Sequence, residues 1–418
     1  MPDVLPFDQR LDRLAELAVR FGLGLRKGDE IILGAPLEAV PLVRRMTEHA
    51  YKAGANLVTP LYTDSVDQLT RFRCAPDSSF DVAPKWLSDG MAAAYRSGKV
   101  LRLAIYGEDP TLLKGQDPGR VARLNRARSM AGREMLELLT KFTVNWCIVA
   151  YATPAWAKAV FPALPEDEAV ARLWDAIFAA SRVDGPDPVA NWEAHNAALH
   201  ARTEWLNRRR FHALHFRGPG TDLRVGLAEG HRWIGGASMP TADRPACNPN
   251  IPSEEVFTTP HKDRVDGTVV STKPLSYQGT LIEDIEVRFA AGRAVEARAR
   301  VGNEVLQKVL ETDEGAARLG EVALVPHSSP ISQSGLLFQS TLFDENAASH
   351  IAFGQAYSVA LSNGDAMAPV ELAARGANSS LIHIDWMIGS GEISVDGIAA
   401  DGTTEAVMKQ GEWVGVAG

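Results

Sequence analysis

The chain has 418 residues, of which 45% are hydrophobic and 23% are charged, and its formal net charge at pH 7 is −9. This length exceeds what one ordinary hydrophobic core serves, so two domains are expected, and the composition is that of a globular protein. The negative charge argues against nucleic acid or an anionic membrane as the main partner, because both require a basic patch on the protein.

The first half of the chain alternates helical and strand-like segments. Leu11, Leu14 and Ala18 recur at helical spacing, with Asp8 placed to cap this helix and Gly22 to end it. Further helices are predicted over residues 40–53 and 118–140, and strands over residues 30–34, 56–61, 100–106 and 144–151. Strands that alternate with helices predict an α/β N-terminal domain with a mostly parallel sheet covered on both faces.

The pattern changes near residue 210. Residues 166–210 are predicted to be helical except for a loop at 184–188, and short strand-like segments follow. These segments cover residues 211–216, 222–225, 268–270, 283–289 and 294–299. The second half therefore reads as a strand-rich α+β domain. We expect an N-terminal domain over residues 1–210 and a C-terminal domain over residues 211–418.

Several common motifs are missing from the sequence. Gly22 and Gly24 precede a strand rather than follow one, and no G-x-G-x-x-G run occurs, so a dinucleotide site is not expected. The H-E-x-x-H, G-x-S-x-G and P-loop motifs are also absent. Zincin peptidases, serine hydrolases and nucleotide hydrolases thereby lose the sequence support that they usually have.

Cysteine spacing and the N-terminal segment indicate the cellular compartment. Cys74, Cys147 and Cys247 are far apart and form no C-x-x-C pair, so neither a zinc knuckle nor a disulfide framework is predicted. The N-terminal segment lacks the basic and apolar regions of a signal peptide, and no run of 18 apolar residues predicts a membrane span. The cytoplasm is the expected location.

Two glutamates of the second half lie in unusual surroundings. Glu255 follows a loop rich in asparagine and proline and enters a β-prone stretch, although an exposed acidic turn has the same pattern. Glu321 opens the otherwise apolar run Leu319-Gly-Glu-Val-Ala-Leu-Val-Pro326. A carboxylate buried there requires a partner or a metal ion. An exposed glutamate at the end of a strand is the alternative.

A third segment runs from Phe343 to Tyr357. If a helix begins near Asn346, His350 and Tyr357 lie on one face of that helix. Glu345 precedes this helix and can turn toward the same site. A histidine that is simply packed among the neighbouring alanines is the alternative.

The fourth segment is Ser380-Leu-Ile-His-Ile-Asp-Trp-Met-Ile388. In a strand, His383 and Asp385 point to one face, and Ile384 and Trp386 point to the other. Two polar side chains that alternate with bulky apolar ones favour metal binding over a buried histidine–aspartate hydrogen bond.

Together the four segments supply six candidate metal ligands, which are Glu255, Glu321, Glu345, His350, His383 and Asp385. Carboxylates and imidazoles without thiolates suit zinc, cobalt or manganese. Six ligands exceed the needs of one tetrahedral ion and fit two adjacent ions that share a bridging carboxylate. We therefore expect two divalent metal ions.

The motifs N-I-P-S-E-E-V-F-T-T-P, L-G-E-V-A-L-V-P, L-F-D-E-N-A-A-S-H-I-A-F-G-Q-A-Y and H-I-D-W-M-I-G-S resemble the thermophilic-aminopeptidase family of metallopeptidases. The resemblance covers nearly the whole chain and is densest from residue 248 to residue 392. It implies an N-terminal α/β domain, a C-terminal catalytic metal domain, a homodimer, and hydrolysis of N-terminal residues from peptides. It also implies the same six metal ligands and an active-site tyrosine at Tyr357.

The implied reaction assigns further roles and leaves alternatives. Tyr357 would donate a hydrogen bond to the tetrahedral oxyanion, and either Glu255 or Glu321 would handle the proton passed to the leaving amine. A ring-cleaving dioxygenase on the same fold would hold one iron with His350, His383 and Asp385 and would have no use for the three glutamates. A non-catalytic peptide-binding protein is the other alternative, and the complete set of ligands argues against it.

Overall fold

The computed structural model describes residues 5–238, 244–277 and 279–415. The chain divides into two units, the first comprising Met1–Glu193 and Ala237–Pro252 and the second comprising Ala194–Gly236 and Ser253–Gly418. The predicted boundary between residues 210 and 211 falls inside the second unit. It coincides with the end of a helix, Pro188–Arg209, that begins in the first unit and continues into the second.

The first unit alternates helices with four strands. Its helices are α1 (Phe7–Glu16), α2 (Val40–Lys52), α3 (Ser65–Cys74), α4 (Lys85–Arg96), α5 (Pro118–Thr140), α6 (Pro154–Val160) and α7 (Glu166–Ala180). Its strands are β1 (Glu30–Pro36), β2 (Leu57–Thr63), β3 (Val100–Tyr106) and β4 (Trp146–Ala150). The strands form a parallel sheet in the order β2-β1-β3-β4. The predicted α/β class is confirmed.

The first helix begins slightly earlier than its sequence suggests. Pro6 occupies the N-cap position, so Asp8 lies inside the first turn and does not cap the helix. Its carboxylate accepts a hydrogen bond from Arg45 at 2.7 Å and carries the negative charge that the start of a helix favours. A π-helical turn, Leu17–Gly22, continues α1 and ends at Gly22, where the sequence predicts that the helix ends.

The second unit is rich in antiparallel strands. Its strands are β5 (Ala213–Gly218), β6 (Thr221–Leu227), β7 (Val256–Thr258), β8 (Pro260–Val270), β9 (Leu275–Tyr277), β10 (Thr280–Ile282), β11 (Glu286–Ala290), β12 (Arg293–Arg298), β13 (Leu319–Leu324), β14 (His350–Gly354), β15 (His383–Met387), β16 (Ser394–Ile398), β17 (Thr404–Lys409) and β18 (Glu412–Trp413). Its helices are the end of α8 (Pro188–Arg209), then α9 (Asn303–Leu310), α10 (Pro330–Gln333), α11 (Thr341–Asp344) and α12 (Pro369–Ala374).

These strands form three sheets. Eight strands follow the order β12-β11-β8-β6-β5-β16-β17-β18, β9 pairs with β10, and four strands follow the order β15-β14-β13-β7. The four-stranded sheet is antiparallel throughout. The predicted strand-rich α+β class of the second half is confirmed.

The four-stranded sheet has one apolar face. Val322, Ile351 and Trp386 lie opposite one another on β13, β14 and β15 and are fully buried. They belong to the main hydrophobic core of the unit, together with Phe353 and Ile384. Because side chains alternate along a strand, the other face receives the residues between them. This packing fixes which residues of the three strands can reach the opposite face.

No helix within the described residues is both long and apolar enough to cross a membrane.

Candidate metal centre

The second face of the four-stranded sheet carries the acidic residues and histidines. Glu321 of β13 lies opposite Ala352 of β14, and Ala352 lies opposite Asp385 of β15. His383 lies opposite Gly354, and His350 lies opposite Ala323. A small residue therefore faces each of these polar side chains. The small neighbours leave room for the longer side chains to converge above the sheet.

The structure corrects the helix predicted near Asn346. His350 begins strand β14, and Glu345 lies in a short 3₁₀ turn just before it. Tyr357 follows the strand and precedes a second 3₁₀ turn, Ser358–Ala360. The prediction that His350 and Tyr357 share a helix face is wrong. Main-chain pairing of β14 with strands on both sides outweighs the helical propensity of Ala352 and of the two alanines just before the strand.

The carboxylate of Glu321 lies between two imidazoles. Its Oε1 is 3.6 Å from His350 Nε2, and its Oε2 is 3.7 Å from His383 Nε2. His350 Nε2 is also 3.1 Å from Glu255 Oε2, and His383 Nε2 is 3.3 Å from Asp385 Oδ1. The ligand atoms thus form two groups that share Glu321, each with its atoms within 4.8 Å of one another.

Both histidine rings are oriented by main-chain carbonyl groups. His350 Nδ1 is 3.1 Å from the carbonyl oxygen of Ala348, and His383 Nδ1 is 2.7 Å from that of Gln355. A carbonyl oxygen only accepts, so each Nδ1 carries the hydrogen and donates it. Each Nε2 is thereby aimed at the carboxylates, which is how histidines that bind metal ions are usually held.

Glu345 and Tyr357 lie beside the two groups and belong to neither of them. Desolvation, followed by repulsion from Glu255 and Asp385, raises the pKa of Glu345 well above 4.5. The ring of Tyr357 lies 4.6 Å from that of His383, centre to centre. Burial and then the neighbouring carboxylates raise the pKa of Tyr357 well above 10, so its hydroxyl is a neutral hydrogen-bond donor.

Burial and mutual repulsion shift the charges of the site. Burial, reinforced by Asp385 and Glu255, raises the pKa of Glu321 to about 7 against the opposing hydrogen bond from His350. Burial acts to lower the pKa of His383, but Asp385 and Glu321 outweigh it and raise the value to about 9. Hydrogen bonds with Glu255 and Glu321 likewise overcome burial and raise the pKa of His350 well above 6.5.

Asp385 shows most directly that the site fits a cation. Its Oδ1 is buried and accepts no well-aligned hydrogen bond within the described residues, although His383 Nε2 lies 3.3 Å away, and such an unsatisfied atom ordinarily costs about 1–3 kcal/mol. Four carboxylates and two imidazoles meet here, so the site is net negative whenever all four carboxylates are ionised, even with both histidines protonated. Buried charge of this kind requires compensation. Oxygen and imidazole nitrogen donors without sulfur match a divalent metal ion.

Two residues that the sequence analysis did not single out, Asn346 and Gln355, support the site. Asn346 is fully buried, and its Oδ1 accepts a hydrogen bond of 2.7 Å from the main-chain N–H of Glu254. Its Nδ2 donates to the carbonyl oxygen of Leu342 at 3.1 Å. An asparagine between Glu345 and two alanines was the available signal. Gln355 acts through its main chain, which leaves no signature in the sequence.

Comparison with known proteins gives three main matches. The family model described as thermophilic metalloprotease (M29) matches residues 7–413. Aminopeptidase T of Thermus thermophilus is 55% identical over 411 residues, which cover 98% of this chain and 99% of that protein. The solved structure of wild-type AmpT from Thermus thermophilus has a TM-score of 0.92 and 54% identity, and covers 98% of this chain and 100% of that chain.

A more distant likeness concerns the fold alone. The structure of 2,5-dihydroxypyridine dioxygenase from Pseudomonas putida KT2440 has a TM-score of 0.54 at 13% identity, over 98% of this chain and 99% of that chain. The family indicated by the four motifs is confirmed by the match over residues 7–413 and by the relative at 55% identity. The chain belongs to the M29 family of thermophilic metalloproteases.

Proposed function

We propose that the protein is a metal-dependent aminopeptidase that holds two divalent ions and removes N-terminal residues from peptides. One observation carries the proposal: Glu321 lies between His350 and His383 and belongs to both groups of ligand atoms. A shared carboxylate suits enzymes that use two ions about 3.5–4 Å apart. The name and 55% identity of aminopeptidase T from Thermus thermophilus support a peptide bond as the target.

We assign one proposed ion to each of the two groups of ligand atoms. Glu255, Glu321 and His350 would hold one ion, and Glu321, His383 and Asp385 would hold the other. Glu345 would complete the set, because repulsion from Glu255 and Asp385 raises its pKa and so places its carboxyl group near theirs. Zinc, cobalt or manganese suits these donors. Bound there, the ions would supply Lewis acidity and would lower the pKa of water from 15.7 to about 7.

Tyr357 and one glutamate have separate tasks. The neutral phenol of Tyr357, beside His383, would donate a hydrogen bond to the oxyanion that forms from the scissile carbonyl group. Glu321 has one oxygen toward each histidine, whereas Glu255 approaches His350 through Oε2. We therefore assign to Glu255 the proton that passes to the leaving amine.

Action at the N-terminus follows if the α-amino group of the peptide binds a carboxylate or an ion of the site. A peptide begins with an α-ammonium charge, which an internal peptide bond lacks. An N-acetylated peptide has no such charge. The proposed enzyme should therefore cleave a free peptide and leave its acetylated counterpart intact.

The dioxygenase and the non-catalytic alternatives are less well supported. A single iron held by His350, His383 and Asp385 would leave Glu255 and Glu321 without a role, although these glutamates lie 3.1 and 3.6 Å from His350, against 3.3 Å between Asp385 and His383. The likeness to the dioxygenase, at 13% identity, concerns the fold. A peptide-binding protein without activity has no need of buried carboxylates grouped around two histidines.

Location in the cytoplasm and assembly as a homodimer complete the proposal. Cys74, Cys147 and Cys247 are all free thiols, which suits a reducing compartment. The family resemblance implies the homodimer. Light scattering coupled to size-exclusion chromatography tests the dimer, for which twice the chain mass of 45.2 kDa is expected.

Metal analysis and a peptidase assay on one preparation test the central proposal. The protein is stripped with a chelator, reloaded separately with zinc, cobalt or manganese, and assayed on an aminoacyl chromophore and its N-acetylated form. Two equivalents of metal and cleavage of the free substrate alone are expected. Uptake that stops at one equivalent contradicts the two-ion site, and oxygen consumption with an aromatic diol favours the dioxygenase.

A further inference from the structure

A cavity of about 650 Å³ lies in the second unit. It lies between the end of α8, the end of β6 and the loop that follows, and Arg264 of β8. Its lining residues are Asn207, Arg210, Phe211, His212, Leu227, Ala228, Glu229, Gly230, His231, Arg232, Arg264, Ser362 and Ala400. None of the six candidate metal ligands is among them, so the cavity is a separate site.

The lining is positively charged although the chain as a whole is negative. Arg210, Arg232 and Arg264 contribute three guanidinium groups, and Glu229 contributes the one carboxylate. Among the described residues, no carboxylate oxygen lies within 4.0 Å of these three guanidinium groups, whereas other arginines of the unit, such as Arg300, are paired. The cavity therefore has an excess of two positive charges in a chain whose net charge is −9.

Arg264 is held by neutral acceptors. Its Nη1 donates to His212 Nε2 at 2.5 Å, and its Nη2 donates to the carbonyl oxygen of Leu227. Because a guanidinium group only donates, His212 must accept as a neutral imidazole. Burial, followed by the charges of Arg264 and Arg224, lowers the pKa of His212 and keeps it neutral. The arginine is thus positioned without being neutralised.

The backbone of Arg210 is strained. Its φ is 51°, in the left-handed region, at the position just after α8 where glycine is the usual residue. An arginine there costs about 1 kcal/mol relative to glycine, partly offset by the favourable position of its charge at the C-terminal end of the helix. It does place a third guanidinium group at the cavity. Strain at such a position is often retained for function.

We propose that this cavity binds a phosphate-type dianion, either inorganic phosphate or a phosphate monoester. Its excess of two positive charges matches the charge of such a dianion. Three guanidinium groups from separate elements suit an anion with several oxygens, because the forks of Arg210 and Arg232 can each donate two parallel hydrogen bonds and Arg264 adds a third positive charge. An acetate ion has one charge and two oxygens and would fill fewer of these donors.

Calorimetry on the metal-loaded protein tests the proposal with inorganic phosphate, glycerol 2-phosphate and acetate at matched ionic strength. Saturable phosphate binding that is tighter than acetate binding is expected. Arg232→Gln and Arg210→Gln should each weaken phosphate binding about tenfold or more, since one hydrogen bond to a charged group contributes about that factor. Glycerol 2-phosphate that binds as tightly as phosphate identifies esters as ligands, and weaker binding identifies the free ion.

Two further variants make the test specific. Arg210→Gly removes a guanidinium group from the cavity, so it should weaken phosphate binding. It also relieves the left-handed strain, so the melting temperature should not fall. Arg208→Gln removes the same charge from α8, but Arg208 is paired with Glu204 and lies outside the lining, so phosphate binding should persist. Binding that survives Arg210→Gln and Arg232→Gln would place the ion at the metal centre and overturn the proposal. Equal loss in Arg208→Gln, or acetate binding as tight as phosphate binding, would also overturn it.

Discussion

His383 Nδ1 lies 2.7 Å from the main-chain carbonyl oxygen of Gln355, and this contact directs the opposite nitrogen of the ring toward Glu321 and Asp385. The histidine is therefore oriented by the end of the neighbouring strand rather than by another side chain. A main-chain contact persists in most variants, so removing the imidazole itself is the direct test of its role.

His383→Ala and Asp385→Ala should each lose metal and activity together. Both residues supply atoms to the same group of three, and two donors hold an ion much less tightly than three. Metal content and peptidase rate are measured on the same preparation. His215→Ala is the matched control. His215 Nε2 lies 2.6 Å from Asp222 Oδ1 in an exposed pair on β5 and β6, and neither residue is a candidate metal ligand. Full activity in either site variant would remove that residue from the metal centre.

Tyr357→Phe should behave differently from the ligand variants. Its phenol is a neutral donor beside His383, and removing one donor to an oxyanion typically lowers kcat about 10²–10³-fold. KM should change little, because the hydrogen bond strengthens only as the oxyanion forms. Metal content should stay at the wild-type level. An unchanged kcat would exclude Tyr357 from the mechanism, whereas lost metal would make it a ligand.

Asn346→Ala should weaken metal binding without removing any ligand. The side chain of Asn346 accepts the N–H of Glu254 and donates to the carbonyl oxygen of Leu342, so it ties the loop before Glu255 to the turn that carries Glu345. Losing a supporting hydrogen bond of this kind typically costs about 10–100-fold in metal affinity. Competition with a coloured chelator measures the change. Asn56→Ala, which removes an exposed contact with Glu30, should leave metal affinity unchanged.

Ala352→Val should fill the space between Glu321 and Asp385 on the surface of the four-stranded sheet. Ala352 lies opposite both Glu321 and Asp385, and its methyl group leaves the space in which their side chains converge. Valine suits a strand, so the sheet should still form, but its added methyl groups would push the carboxylates apart. We expect lower metal content with circular dichroism close to that of the wild type. Normal metal content would show that the ligands approach from another direction.

The sequence was most informative where one strand alternates between two environments. His383 and Asp385 alternate with Ile384 and Trp386, and this pattern predicts both the strand and the polar face that the structure contains. It failed at β14, where all five residues from His350 to Gly354 are buried and no alternation is visible. There the interpretation assumed a helix that begins near Asn346. Pairing with β13 and β15 decides the conformation, and one segment of sequence does not contain that information.

The division of the chain into units was also only partly predictable. The helix Pro188–Arg209 ends where composition changes, so residue 210 resembled a boundary. The first unit ends at Glu193, within that helix, and Ala237–Pro252 also belong to the first unit. Main-chain hydrogen bonds of Asn248 with Gly22 and of Ile251 with Ile148 hold that segment. Such long-range pairing leaves no compositional signal in a single sequence.

The metal-free protein should become less stable as pH rises from about 5 to about 9. Burial raises the pKa of Glu321 to about 7, above the 4.5 of a free glutamate, so folding favours the protonated form and loses stability as pH rises between these values. His383 has a pKa of about 9 against 6.5 when unfolded, so its contribution is complete below pH 6.5 and is lost as pH rises toward 9.

The two effects act in the same direction, which makes the trend measurable by thermal unfolding at each pH. Bound metal ions replace the protons on these groups, so the loaded protein should lack this fall and should melt at a higher temperature throughout the range. His383→Gln in the metal-free state removes one of the two titrating groups and should flatten the decline above pH 7. A metal-free protein that melts at the same temperature at pH 5 and pH 9 would show that its carboxylates do not carry the repulsion described here. The metal-loaded protein, in contrast, is expected to melt at the same temperature at pH 5 and pH 9, because the ions compensate the charge that protons otherwise neutralise.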